Sequence, residues 1–284
     1  MSDELICRVG AVKPDADMMV WDHRYKALVR KDWAALDQKF DQVRVAFEQK
    51  ATASVGTTVT IPEHTPISSQ GRAGSCVANG CSDAFEILDG LEGTDTVEQL
   101  SRRWLYYVSR QYTGDTRRDE GTYIRSALHQ LKTVGTFEEK FFPYFDDPDH
   151  IVGELSMPEL DHYTMASNNR ITGFYRLEPT SPTFLQDLET AVRASHPPIF
   201  GVKVGQPFVD YRGGGYVLNP PETSTGRHCM IAIGVRWVEN VRSWLIRNSW
   251  SFGWGDGGHC WFSDTYMSTA EDVWVATKTL QAIR

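Results

Sequence analysis

The sequence predicts an α+β protein of two lobes, and three observations carry that reading. Up to about residue 194, apolar residues recur at helical spacing. From Ile199 onward they fall into short β-branched or aromatic runs broken by Gly, Asn and Pro. A length of 284 residues suits one large or two modest domains.

Residues 1–58 read as an N-terminal extension. A Pro/Asp-containing stretch, Val12 to Asp22, precedes Leu28, Trp33, Leu36, Phe40, Val43 and Phe47, whose near-helical spacing among charges predicts a surface or pro-region-like helix. Ala51 to Thr60, small and Thr-rich, reads as a linker or edge strand before Pro62 and Pro66.

From residue 59 to 284 the chain reads as one unit, with a helical lobe over about 62–180 and a β lobe over 181–284. After Gly74, the stripe Val77, Cys81, Ala84, Phe85, Leu88 and Leu91 predicts a buried helix ended by Gly90 and Gly93. Val97–Tyr112 and Thr122–Val134 repeat the pattern, the second with Gly135 placed as a C-terminal cap. A shorter helix is expected over Pro182–Ala194. Strands are then expected at Ile199–Val204, Tyr216–Leu218, His228–Val235, Ser243–Ile246, His259–Phe262 and Val273–Thr277.

Composition narrows the function. With 37 acids against 29 bases, a net charge of −8 and no long Lys/Arg run, the chain lacks the electrostatic footprint of a nucleic-acid binder. No apolar run approaches the roughly 18 to 20 residues that span a bilayer, so no membrane partner is expected. The N-terminus carries acids where a signal peptide is basic and then apolar. Five scattered cysteines are too few for a disulfide scaffold. Together these predict a cytoplasmic, reducing setting, with a specialised secretion route left open.

Three patches combine a reactive side chain with residues that would position it. Ser69-Gln70-Gly71-Arg72-Ala73-Gly74-Ser75-Cys76 is a Gly-rich turn that delivers Cys76 to the first turn of the buried helix, where the positive helix end favours a thiolate. Taken alone, Cys76 reads rather as a packed core cysteine. Gly226-Arg227-His228-Cys229-Met230 sets His228 at the mouth of an apolar strand, with Cys229 on the opposite face. A solitary His there reads as structural. Asn248-Ser249-Trp250-Ser251-Phe252-Gly253-Trp254 ends a strand with an amide and two tryptophans, and alone it would be an aromatic corner. The order Cys, His, Asn, drawn from both lobes, is that of a thiol nucleophile, its base and the amide that orients the base.

On these motifs the chain resembles the papain-like cysteine peptidases, in the style of their compact bacterial and viral members. The resemblance covers about Pro62 to Thr277. It takes in Leu100-Ser101, Leu105-Tyr106, Glu120-Gly121-Thr122-Tyr123-Ile124-Arg125, Ala127-Leu128 and Pro143-Tyr144. It implies a papain-like two-lobed fold, with a helical lobe, an antiparallel β-barrel-like lobe and the active-site cleft between them. The implied activity is hydrolysis of peptide bonds by an endopeptidase through an acyl-thioester on Cys76, with no cofactor and no metal.

By the same resemblance His228 is the proton acceptor and donor, and Asn248 fixes its imidazole. Gln70 and the Cys76 N–H form the oxyanion hole, on the loop through Gly74 and Ser75. Trp250 covers the Asn248–His228 bond and Trp254 buttresses it; both also fit a plain core role. Gly121 would pair with an extended substrate strand. Glu120, Arg227, Val202 and Cys229 are the remaining expected substrate contacts, with packing the other reading for Cys229. The resting catalytic pair is expected to be thiolate and imidazolium.

The chain departs from the family pattern in places. Ala73 stands where secreted relatives place a disulfide cysteine, and Val77 and Asn79 replace the usual Trp and Phe. Glu120 stands where a second glycine is common. Arg227 replaces the usual Asp or Asn before the His, which opposes an imidazolium while helping to hold a thiolate.

Other features read as structural. Cys81 is expected on a different helix face from Cys76, Gly213-Gly214-Gly215 as a hairpin or bulge turn, and Asp146-Asp147-Pro148-Asp149 as a solvated loop. The N-terminal extension is expected either to restrain the cleft, as in a zymogen, or to act as a stabilising arm. Two rival functions remain: a thiol-dependent acyltransferase, transglutaminase or deamidase on the same fold, and an inactive peptide-binding relative.

Overall fold

The computed structural model describes residues 57–91, 93, 97–114, 116–145, 151 and 157–278. Cys7, the helix expected over Leu28–Phe47 and the Asp146–Asp149 loop lie outside the described residues. Among the described residues no helix is long and apolar enough to cross a membrane.

Helices come first. α1 (Cys76–Leu91) is buried almost end to end, as its apolar stripe requires. α2 (Arg102–Thr113) starts later than periodicity suggests because Ser101 caps it: the Ser101 Oγ accepts the Trp104 N–H at 3.2 Å. Residues 97–100 are therefore the approach to the helix.

α3 (Ile124–Thr133) ends on Gly135, whose N–H donates to Gln130 O at 2.9 Å with φ at 95°. A Cβ there would sit 2.0 Å from Ala166 O, so only glycine fits. Ala166 closes α4 (Leu160–Ala166), a one-sided short helix with no apolar stripe long enough to be read from sequence. α5 (Phe184–Arg193) matches the expected segment.

The second half supplies seven strands of an eight-stranded sheet, and one more joins them from ahead of the helices. The strands of the sheet are β1 (Val59–Thr60), which is that earlier one, β2 (Gly173–Leu177), β3 (Ile199–Val204), β4 (Val217–Leu218), β5 (Gly226–Val238), β6 (Val241–Arg247), β7 (His259–Ser263) and β8 (Asp272–Thr277). The order is β2-β8-β3-β5-β6-β7-β4, antiparallel except for the parallel pair β4·β7, and β1 joins β5 off this path.

β5 is the spine. Its first half pairs with β3, its second half with β6, and β1 takes Gly234 and Val235. That hand-over, with a register shift between Ala232 and Gly234, curls the sheet. The path nonetheless stays open, with no β2·β4 pairing among the described residues.

β2 pairs with β8, which puts Gly173–Leu177 on the sheet side of the boundary expected at residue 180. Gly213, Gly214 and Gly215 form no hairpin, because β4 runs parallel to β7. All three have positive φ, and the Gly214 and Gly215 N–H groups close on the Asp256 carboxylate at 2.7 and 3.1 Å. The backbone makes an anion nest that the chain fills with its own side chain.

α1 is the element shared by both halves, packing against α2 and α3 on one side and β5 on the other. Gly80 marks the approach: a Cβ there would lie in van der Waals contact with Cys229 Sγ, at 3.4 Å.

Candidate active site

Cys76 is the first residue of α1 and is fully buried. Gly80 lies one turn further along, against Cys229, so the start of α1 runs beside the part of β5 that carries His228.

The loop leading to Cys76 is sewn to the segment after β6. The Gln70 N–H donates to Ser249 O at 2.9 Å, and the Ser251 N–H to Ser68 O at 2.9 Å. The Gln70 side chain is fully buried. Its Oε1 accepts from Ser249 Oγ at 2.8 Å and from the Trp250 indole N–H at 3.2 Å, which turns Nε2 back into the Cys76 loop, where it donates to Ala73 O at 2.9 Å.

From the other side Tyr144 grips the same loop. Its hydroxyl donates to Gln70 O at 2.8 Å and lies 2.5 Å from Ser75 Oγ, which also accepts from Asn79 Nδ2 at 3.1 Å. Asn79, where relatives place a bulky residue, thus braces Ser75.

His228 and Asn248 meet directly. Asn248 Oδ1 lies 2.7 Å from His228 Nε2 and also accepts the Ser249 N–H at 2.8 Å. Two donors on one oxygen fix the amide orientation, which requires the imidazole proton on Nε2. Nδ1 is then the basic nitrogen, and it is buried without a hydrogen-bond partner.

Burial pushes His228 down to about 4, against the upward pull of Asn248. Desolvation thus works against the charged imidazole of the expected thiolate–imidazolium pair, while the Asn248 hydrogen bond favours it. Arg227 is not a cause of this shift, because it points to the other strand face and pairs with Glu271 at 2.6 Å.

Trp250 lies over the imidazole, with ring centroids 4.8 Å apart, and Trp254 meets Trp250 edge-on at 5.6 Å. Trp250 therefore covers the imidazole that Asn248 holds, and Trp254 buttresses Trp250. Phe208, from α6 (Gln206–Val209), completes the cover at 5.2 Å from Trp250 and 4.8 Å from Trp254. Nothing in its sequence context marks Phe208, which arrives from a four-residue helix.

The expected substrate contacts divide. Val202 lies directly opposite His228 on β3 and is fully buried. Cys229 packs on α1, and burial pushes its thiol well up, as it does for Cys81. Glu120 is largely exposed beside Arg118. The Gly121 N–H is already given to Tyr106 Oη at 3.1 Å, so it is not the group that would bind a substrate strand. Among the described residues no group of His, Cys, Asp and Glu could hold a metal ion.

The papain family cysteine protease profile matches residues 57–277, most of the chain. The chain belongs to the papain family of cysteine proteases. Its papain-type fold is also that of xylellain, a cysteine protease from Xylella fastidiosa, at a TM-score of 0.71 and 26% identity over 82% of this chain and 90% of that one. Digestive procathepsin L 3 of Tenebrio molitor shares the fold at a TM-score of 0.65 and 20% identity, over 79% of this chain and 70% of that one. An uncharacterized peptidase C1-like protein of Acanthamoeba polyphaga mimivirus is 25% identical over 79% of this chain and 74% of its own length. Papain-family membership makes the protein a cysteine-type peptidase acting on peptide substrates.

Proposed function

We propose that this papain-family peptidase is an endopeptidase in which Cys76 is the nucleophile, His228 the general base and acid, and Asn248 the residue that orients it. The observation that carries this reading is the buried, unpartnered Nδ1 of an imidazole whose Nε2–H is fixed by Asn248.

The Cys76 thiol gives its proton to His228 Nδ1, and the positive end of α1 stabilises the thiolate that forms. The sulfur attacks the peptide carbonyl carbon. Its oxygen becomes an oxyanion facing the Cys76 N–H and Gln70 Nε2. As the C–N bond breaks, His228 returns the proton to the leaving amine, and a thioester remains on Cys76. Water, deprotonated by His228, then attacks the thioester carbon; the C–S bond breaks, the acid leaves, and His228 returns the proton to the Cys76 sulfur.

Labelling with a thiol-directed epoxide, located by mass spectrometry, tests the assignment. The label is expected on Cys76, with hydrolysis lost in Cys76→Ala. A label elsewhere, or full activity in Cys76→Ala, would refute it.

Residues 1–58 are proposed to restrain the cleft, supported by the proform character of the Tenebrio molitor relative and by the start of the family match at residue 57. Deleting them should raise hydrolysis of a small peptide reporter. A reducing, cytoplasmic setting is proposed as well, supported by Cys76, Cys81, Cys229 and Cys260 all being free thiols.

A further inference from the structure

Two loops far apart in sequence are joined beside the nucleophile by one hydrogen-bonded circuit. The Gly74 N–H donates to both oxygens of Asp119, at 2.8 and 3.0 Å. The Tyr106 hydroxyl donates to Asp119 Oδ1 at 2.6 Å and accepts the Gly121 N–H at 3.1 Å. Tyr106 is fully buried on α2, so its hydroxyl is held by a rigid element.

The backbones are in contact as well as linked. A Cβ on Gly74 would lie 3.1 Å from Asp119 Oδ1, 3.3 Å from Gly121 N and 3.4 Å from Tyr106 Oη. Gly121 has a φ of 84°, a turn that presents its N–H inward to Tyr106. Burial, reinforced by the Asp119 charge, pushes the Tyr106 phenol well above its usual range, so the hydroxyl stays a donor.

Gly74 lies two residues before Cys76, and Gly121 opens the segment leading to α3. We infer that Asp119, acting with Tyr106, is a positioning residue that fixes the Cys76 loop against the Gly121 segment and so sets where an extended peptide lies relative to the sulfur. The inference rests on the assignment of Cys76 as nucleophile. The pair touches no reacting atom. It acts by alignment, where an error of about 1 Å costs up to about a hundredfold in rate.

The chemistry of the circuit separates its members. Tyr106→Phe frees the Gly121 N–H but leaves Asp119 on Gly74. Asp119→Ala frees both loops. Asp119→Asn keeps one acceptor for the Gly74 N–H and should recover part of what alanine loses.

The experiment measures kcat and KM on a peptide that extends several residues upstream of the cleaved bond, using the full chain. Alongside it, alkylation of Cys76 by iodoacetamide reports the thiol without using the Gly121 segment. Tyr106→Phe is expected to raise KM with kcat and alkylation unchanged. Asp119→Ala is expected to lower kcat/KM by about 10- to 100-fold, with Asp119→Asn between it and the wild type. If Asp119→Ala does not fold, the other two variants decide.

Wild-type kinetics in both Tyr106→Phe and Asp119→Asn would overturn the inference. So would a parallel fall of alkylation and hydrolysis in Tyr106→Phe, the mark of general unfolding. Full activity in Cys76→Ala would instead remove the nucleophile assignment beneath it.

Discussion

An imidazole that burial holds down to about 4 binds a proton weakly, and this governs how His228 responds to acid. The unfolded chain titrates this group near 6.5, so between about 6.5 and 4 the unfolded state binds more protons than the folded one. Stability from His228 is therefore fully present above about 6.5 and is lost as pH falls toward about 4, by up to about 3 kcal/mol. His228→Gln should lose this acid-sensitive part, seen as a smaller drop in urea midpoint between pH 7 and pH 4.5 than in the wild type. Equal drops would contradict the assignment.

Gln70→Ala should lower kcat by about 100- to 1,000-fold with KM little changed, because its amide faces the oxyanion. Steady-state kinetics would show the split. Cys76 with Gln70, His228 and Asn248 could be singled out as candidates because they stand in three local motifs. Phe208 and Asp119 could not, since they reach the site only through tertiary contacts and nothing beside them in the chain announces it; Tyr144 stood out only within the Pro143-Tyr144 pair, with no role attached. The role of Arg227 also needed coordinates: only they show that Glu271 takes up its charge.

Elements follow the same logic one level up. α1 reads cleanly from its stripe, and β3 appears with its expected bounds, because long periodic or strongly β-branched runs leave few alternatives. β2 and α4 did not read, being short, half-exposed and dependent on β8 and Gly135 for partners. α1 packs closely on β5 at Gly80, where there is room for a methyl but little more, and this gives a test. Gly80→Ala should be nearly neutral, since its methyl would sit 3.4 Å from Cys229 Sγ. Gly80→Leu should destabilise by about 1 to 3 kcal/mol through overpacking and depress hydrolysis by moving the start of α1. Thermal melts of the two variants, run with activity assays, check both.

The whole molecule is closed by buried charge between α1, α2 and the sheet. Arg102 bonds Asp83 at 2.6 Å and Glu86 at 3.1 Å, all nearly inaccessible to solvent. Arg247 reaches across from β6 to Asp83 at 3.3 Å, to Pro66 O at 2.8 Å and to Glu63. Arg102→Met leaves two buried carboxylates short of a counter-charge and should destabilise the fold by about 3 to 5 kcal/mol. Urea unfolding should show a lower midpoint at an unchanged slope. The two-lobed order was legible from helices preceding strands, but this seam was not. In sequence, Asp83, Glu86 and Arg102 look like any solvated helix charges, and only the meeting of distant elements buries them.

Arg247 and Asn248 are adjacent on the chain, yet one is fastened to the opposite half of the protein and the other aims the imidazole. Prising the halves apart must therefore tug the amide out of line within a single peptide unit. Loosening of this joint is expected to disturb the imidazole before the chain comes undone.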